Sequence, residues 1–435
     1  MDGYDTSMTE TPVKTKRCQN NSTSWSNRLP CRAALDSPTT RSTSPLNTLR
    51  LPSDWTIQWF KGIQNGADSW DQLPDNQNLF LTKGYFALLD ELELPDVETG
   101  FAIFNHADHG TFGVVLQAFS FNPNEQMGKL DQNEQYGALR TLAGKAKQVL
   151  ADVLRFRVLS LGQLLLTGDH ALRGELDLPA AELAQVLAEG SEAIAKDWPE
   201  RLHGIMIKDM PLAEHPKTHR FHALPVQPNM VLQVREDWKT FDDYLAAMSS
   251  KYRVRVRRAR KKGKELIRRE MELEEIQQRQ SAMYALYLDI ATQSDFNAVA
   301  LPENYFSCWK KNFPEDFRVW GYFIDDELIG FSTAIYNHHE LEAHFLGFDA
   351  SYNRSHQLYL NILYDLVEEA IVAGCKTTTF SRTALEIKSS VGAEAEHLYC
   401  WMRSRIAIAN PLVPVVARFI APLPEWEPRH PFKEE

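Results

Sequence analysis

The chain has 435 residues, a formal net charge of −11, 43% hydrophobic and 11% aromatic residues. Such a chain is globular and too long for one ordinary core, so two domains are expected. The acidic balance excludes a protein that coats DNA or an anionic membrane over its whole surface, so any anion binding is local. Cys18, Cys31, Cys308, Cys375 and Cys400 include no CxxC pair, which points to a reducing, cytoplasmic setting.

Residues 1–50 are rich in Ser, Thr, Asn and Arg without an apolar period, and read as a disordered leader. A first domain is expected over 51–224. There "GFAIFNH" and "TFGVVLQAFSF" read as strands around a turn at Ala107 to Gly110, and "LRFRVLSLGQLLLTG" as a third. A helix is expected at about 132–150 between the second and third of these strands. Pro179 to Ala195 reads as a further helix and "HGIMIKDM" as another strand. His215, His219 and His222 have ligand-like spacing, but a proline-containing loop without cysteine reads as an exposed loop rather than a metal site.

A second domain is expected over 225–405. Phe241, Leu245, Met248, Tyr252, Val256 and Ala259 recur at spacings of three and four, the stripe of a single α-helix ending at Gly263 in a left-handed cap. That helix enters "KYRVRVRRARKKGKELIRR", residues 251–269, with eleven Lys or Arg and one Glu; the rest of the chain sums to about −21. Two readings stand side by side, a solvated face favoured by the helix dipole and a grip on phosphates.

A strand near Ile267 to Leu273 follows, then a helix marked by Ile276, Met283, Leu286, Tyr287 and Ile290, and a short helix after Pro302. "FRVWGYFID", "ELIGFSTAIYN" and "ELEAHFLGFD" read as three antiparallel strands. Ser355 to Ala373 reads as one long helix, "KTTTF" as a strand, "TALEIKSS" as a short helix or turn and "EHLYCWMRS" as a last strand of the same sheet. The tail, 406–435, is apolar but interrupted by Asn410, Pro411, Pro414 and Arg418. It reads as packing tail rather than membrane span, with a peripheral membrane or partner contact as the alternative.

This order of elements resembles the GNAT acyltransferase fold. "LAAMSSKYRVRVRRARKK" and "FSRTALEIKSSVGAE" are similar to motifs of bacterial GNAT-like proteins grouped with Fem-type peptidoglycan aminoacyltransferases. The expected fold class is α+β, a mixed sheet in a GNAT-like fold, with the first half either a degenerate second module in tandem or a plain structural partner domain. The resemblance implies transfer of an acyl or aminoacyl group to an amine without a metal. Acyl-CoA (acetyl-CoA) or aminoacyl-tRNA would be the donor, a small-molecule or cell-envelope amine the acceptor, and DNA no partner. The small-residue signature that holds coenzyme A pyrophosphate is missing, with His356, Leu358 and Tyr359 in its place.

Glu342 could take the amine proton and Tyr359 protonate the leaving group. Asn361, Ser381, Arg382, Glu386 and Lys388 are candidates for substrate binding, although Arg382 or Lys388 paired to Glu386 would equally pin a short helix. Lys251, Arg253, Arg257, Arg258 and Lys261 are candidates for polyanion binding. The rival from another class is a non-enzymatic protein that holds RNA or an anionic cell-envelope precursor on the basic helix. No GxSxG, Walker A, GxGxxG or HExxH motif occurs.

Overall fold

The computed structural model describes residues 47–74, 77–121, 156–174, 177–210, 219–292 and 299–433. The expected helix at 132–150, His215 and most of the expected leader lie outside the described residues. Asn47–Arg50, read as part of that leader, form a strand instead.

The strands up to the boundary between the halves are β1 (Asn47–Arg50), β2 (Thr56–Lys61), β3 (Val97–His106), β4 (Gly110–Phe121), β5 (Phe156–Leu161), β6 (Leu172–Arg173), β7 (Gly204–Met210) and β8 (His222–Pro225). Those of the second half are β9 (Asn229–Gln233), β10 (Ile267–Glu270), β11 (Phe317–Ile324), β12 (Glu327–Asn337), β13 (Glu340–Phe348), β14 (Thr377–Thr379), β15 (Glu394–Glu396) and β16 (Tyr399–Ser404). The helices up to the basic run are α1 (Ala67–Asp71), α2 (Lys83–Leu92), α3 (Ala180–Asp197), α4 (Phe241–Ala247) and α5 (Ser250–Lys262). After it come α6 (Leu273–Gln278), α7 (Gln280–Ala291), α8 (Tyr305–Asn312), α9 (Ala350–His356), α10 (Leu358–Val372), α11 (Leu385–Ser390) and α12 (Val413–Ile420).

Two mixed sheets result. The first runs β1-β2-β3-β4-β5-β7-β16-β8, with β6 beside β4; the second runs β10-β11-β12-β13-β14-β9-β15. Each has one parallel pair, β5 with β7 and β13 with β14. Each parallel strand follows a long helix, α3 or α10, as a crossover connection requires. The two halves therefore repeat one plan, which supports the tandem reading of the fold.

The last strand is where the expected sheet changes. Of "EHLYCWMRS" only Glu396 belongs to the second sheet, as the end of β15, while β16 pairs with β7 and β8 in the first. β9, the first strand of the second domain, lies between β14 and β15. Since β8 pairs with β16 and β9 with β15, one bent antiparallel ribbon threads both sheets, with Val226 N–H donating to the Leu398 carbonyl at the crossing (3.2 Å).

Three large cores form. One joins the halves, placing Phe60, Trp70, Tyr85 and Phe101 with Met271, Tyr305, Trp309 and Phe317. A second lies between the second sheet and α4, α5 and α10, and a third between the first sheet and α3.

Several helices break where periodicity runs on. Thr240 and Asp243 form a reciprocal capping box on α4. At Met248 (ψ 152°) the chain turns extended, and α5 starts afresh after Ser249, whose N–H donates to the Pro431 carbonyl (2.8 Å). Gly263 has φ −82°, so the expected left-handed cap does not form. The long helix expected from Ser355 divides at Gln357, which has φ 53°. The helix from Ile276 to Ile290 divides at Arg279.

Candidate active site

Strand register assembles the site. Glu342 pairs with Thr379, and Thr379 with Val231. Alternation along each strand then puts Glu340, Glu342, Thr379, Ser381, Asn229 and, across β15, Glu396 on one face of the second sheet. Hydrogen bonds agree: Thr379 Oγ1 donates to Glu340, Ser381 Oγ to Glu342 Oε1 (3.3 Å) and Asn229 Nδ2 to Glu396 (3.4 Å). This polar strip belongs to β13, β14, β9 and β15, beside the crossing ribbon.

Glu342 is 1% exposed and its Oε2 has no hydrogen-bond partner. Burial, helped by the nearby Glu340 carboxylate, pushes its carboxyl well above the usual range. The buried Asn229 Oδ1 also lacks a partner. Two acceptors buried without donors cost free energy unless something supplies N–H or O–H groups.

The chain after β14 turns sharply, with Ser381, Thr383 and Ala384 at φ 55°, 70° and 46°. Lys388, 5% exposed on α11, reaches back and donates to the Ser381 (3.3 Å) and Arg382 carbonyls. Burial pulls its ammonium down to about 7, against the opposing pull of Glu342.

Arg382 points into the molecule, where it pairs with Asp209 of β7. Asp209 also accepts from Lys208 and from the Gly168 N–H (3.1 Å). Burial alone would raise the Asp209 carboxyl, but Lys208 and Arg382 hold it below its ordinary value. Burial lowers the Lys208 ammonium despite that pairing. The site thus draws side chains from both halves.

Of the expected residues, Glu342, Ser381, Arg382 and Lys388 come together. Three do not. Tyr359 stacks on Phe348 (5.8 Å between centroids), six residues beyond Glu342, about 20 Å along the strand at the usual rise per residue. Asn361 donates to the Ala259, His356 and Gln357 carbonyls, clasping α5 to α10. Glu386 faces outward and pairs with Arg429 (3.1 Å), not with Arg382 or Lys388.

Lys208, Asp209, Asn229, Glu340 and Glu396 were not anticipated. Adjacent opposite charges inside the apolar strand "HGIMIKDM" are the signal that points to the first two.

The residues do not fit a coenzyme A pyrophosphate. Asp349 caps α9 through the Ser351 N–H (2.8 Å), placing a carboxylate where an anion would dock. Asn353 Oδ1 takes the Tyr359 N–H at the start of α10 (3.1 Å).

The basic run divides. Arg260 pairs with Asp365 and Glu368 and lies over Phe241, Arg268 pairs with Glu369, and Arg269 with Glu275, all structural. Arg253, half-buried, donates to the Met248 carbonyl. Lys251, Arg255, Arg257, Arg258 and Lys261 are exposed and form no ion pair among the described residues.

His219 sits beside Glu192 (3.4 Å) and His222 lies in β8. No cluster of three or more metal-ligating side chains occurs among the described residues.

Residues 250–389 match the family model of an acetyltransferase (GNAT) domain. The chain thus carries a GNAT-like domain, and Glu342, Ser381, Arg382 and Lys388 lie inside it. Similar solved structures include FemX, 10% identical, with TM-score 0.46 over 79% of this chain and 95% of that one. A tandem GNAT protein from the clavulanic acid biosynthesis pathway is 9% identical, with TM-score 0.43 over 80% and 98%. L-PGS from Bacillus licheniformis is 12% identical, with TM-score 0.39 over 80% and 98%. No curated protein matches the sequence.

Proposed function

We propose that the chain is an N-acyltransferase that moves an acyl or aminoacyl group from a carrier to an amine. The observation that carries this reading is the buried, half-satisfied Glu342 carboxyl in the GNAT-like domain, on a strip it shares with Glu340, Glu396 and the unpartnered Asn229 Oδ1. An acid-rich, donor-poor strip suits an amine, whose N–H groups satisfy those acceptors.

In the reaction the amine nitrogen attacks the acyl carbonyl, the new amide bond forms, and the bond to the carrier breaks. One proton must pass from nitrogen to the departing oxygen or sulfur. Glu342 can take it and return it, because burial raises its carboxyl above the usual range and so makes its carboxylate the stronger base. Lys388 holds the Ser381 to Arg382 turn in place. Metal-free transfer is part of the same proposal.

The misfit of the pyrophosphate site and the exposed cations of α5 favour an aminoacyl ester of tRNA as carrier. The test is a screen of purified protein with aminoacyl-tRNA and acyl-CoA donors against amine acceptors. Transfer from aminoacyl-tRNA, reduced at least about hundredfold in Glu342→Gln, supports the proposal; transfer that Glu342→Gln leaves intact refutes the site. Transfer from acyl-CoA alone would overturn the choice of carrier.

A second reading follows from those same exposed cations: a non-enzymatic protein that holds RNA or an anionic envelope precursor on α5. Binding without any transfer in the screen would favour it.

A further inference from the structure

The chain's exposed large apolar side chains are concentrated in one place. Of eleven among the described residues, six fall between Ile406 and Leu423, with Ile408 88%, Val415 66% and Leu412 57% exposed. Helix α12 is apolar on both sides. Ile420 packs on the first sheet beside Phe119 and Val158, while Val415 and Val416 face away from the protein. A helix apolar all round is ordinarily covered on all sides.

The approach to α12 is fixed. Asn410 accepts from the Ser404 N–H (2.8 Å) and donates to the Arg220 carbonyl (3.0 Å), and the Arg405 N–H donates to the His203 carbonyl (2.8 Å). Ile406 and Ile408 are therefore held outward by an anchored loop.

Charge indicates what covers this face. From Arg403 to Pro424 there are three arginines and no Asp or Glu, in a chain of net charge −11. Arg405 lies close to Arg403 and, with Arg201, to His203, so a cationic cluster sits where the apolar segment leaves the sheet. Arg403 pairs with Glu192, while Arg201 and Arg418 are exposed.

We propose that residues 404–424 dock the protein on an anionic lipid bilayer, with α12 lying in the interface and its arginines at the headgroups. Apolar side chains beside cations, on a short helix that cannot span, are what such binding requires. Among the described residues no helix is long and apolar enough to cross a membrane. This inference does not depend on the acyl-transfer reading.

The test is sedimentation of the full chain with vesicles of phosphatidylcholine alone and of phosphatidylcholine mixed equally with phosphatidylglycerol. Binding to the mixed vesicles, weakened about tenfold or more by Leu412→Ser, Val415→Ser and Val416→Ser together, supports the proposal. Those three side chains are exposed, so the melting temperature is a direct check on folding. Arg418→Glu is the second probe and should weaken binding without touching the apolar face. Arg257→Glu, Arg258→Glu and Lys261→Glu together, on α5, should leave most of it in place. The proposal is overturned if wild type does not sediment, if the serine variant binds like wild type, or if only the α5 variant loses binding. A change in oligomeric state on serine substitution, without an effect on vesicles, would assign the face to a second copy instead.

Discussion

Asp209 lies between Lys208 and Arg382, so one buried carboxylate neutralises two cations from opposite halves. Removing it leaves both charges without compensation, and Asp209→Ala should cost about 3 kcal/mol in urea denaturation. Lys388 is a different case. Its folded pKa is about 7, below the ordinary 10.5, so between those values the unfolded chain keeps a proton that the folded chain has released. Stability rises with pH through that window and sits at its lower level below it. Denaturation of wild type and Lys388→Met should therefore diverge, wild type gaining relative to the variant from pH 7 to pH 10; parallel curves would show that Lys388 stays charged. Ser381, Arg382 and Lys388 were legible because a strand end followed by a basic pair is visible locally. The Arg382 partner was not, because Asp209 is 173 positions away in the chain.

Elements were legible where one face repeats over a few turns. The stripe through Phe241, Leu245, Met248 and Tyr252 keeps helical phase across Met248, so spacing alone makes α4 and α5 one helix. The break comes from the C-terminal segment, with Pro431 accepting from Ser249 and Lys433 N–H donating to the Ala247 carbonyl (3.1 Å). Periodicity cannot see a partner nearly two hundred residues downstream. The basic helix is thus positioned by the tail as well as by its own apolar seam. Its exposed cations make a further prediction: with Arg257→Glu, Arg258→Glu and Lys261→Glu together, the log–log salt dependence of tRNA affinity should lose about 2 to 3 units of slope. On β13, Gly347 lies against α7, where an added Cβ would meet the Leu286 carbonyl carbon and the Tyr287 nitrogen at 2.5 Å. Gly347→Ala should cost about 1 to 3 kcal/mol in thermal or urea unfolding, because backbone must move to admit the methyl group.

At the scale of the molecule, the repeated plan could be read from the order of strands and long helices, and the passage of β16 into the first sheet could not. β16 follows β15 directly in the chain, so its position in the sequence suggests the second sheet, and only the tertiary arrangement puts it between β7 and β8. The shared core of Trp70, Tyr85, Trp309 and Phe317 and the threaded ribbon bind the halves together. Unfolding should therefore be a single transition, coincident by tryptophan fluorescence and far-ultraviolet circular dichroism; two separated transitions would show that the halves are independent.

The ribbon also bears on how such a chain can be recombined. In a chimera joined near Val226 the second sheet would come whole from one parent, while the first sheet would receive β16 from that parent and set it between β7 and β8 of the other. Functional hybrids would need β16 from the same source as its neighbours β7 and β8, so neither half alone is the natural unit of exchange.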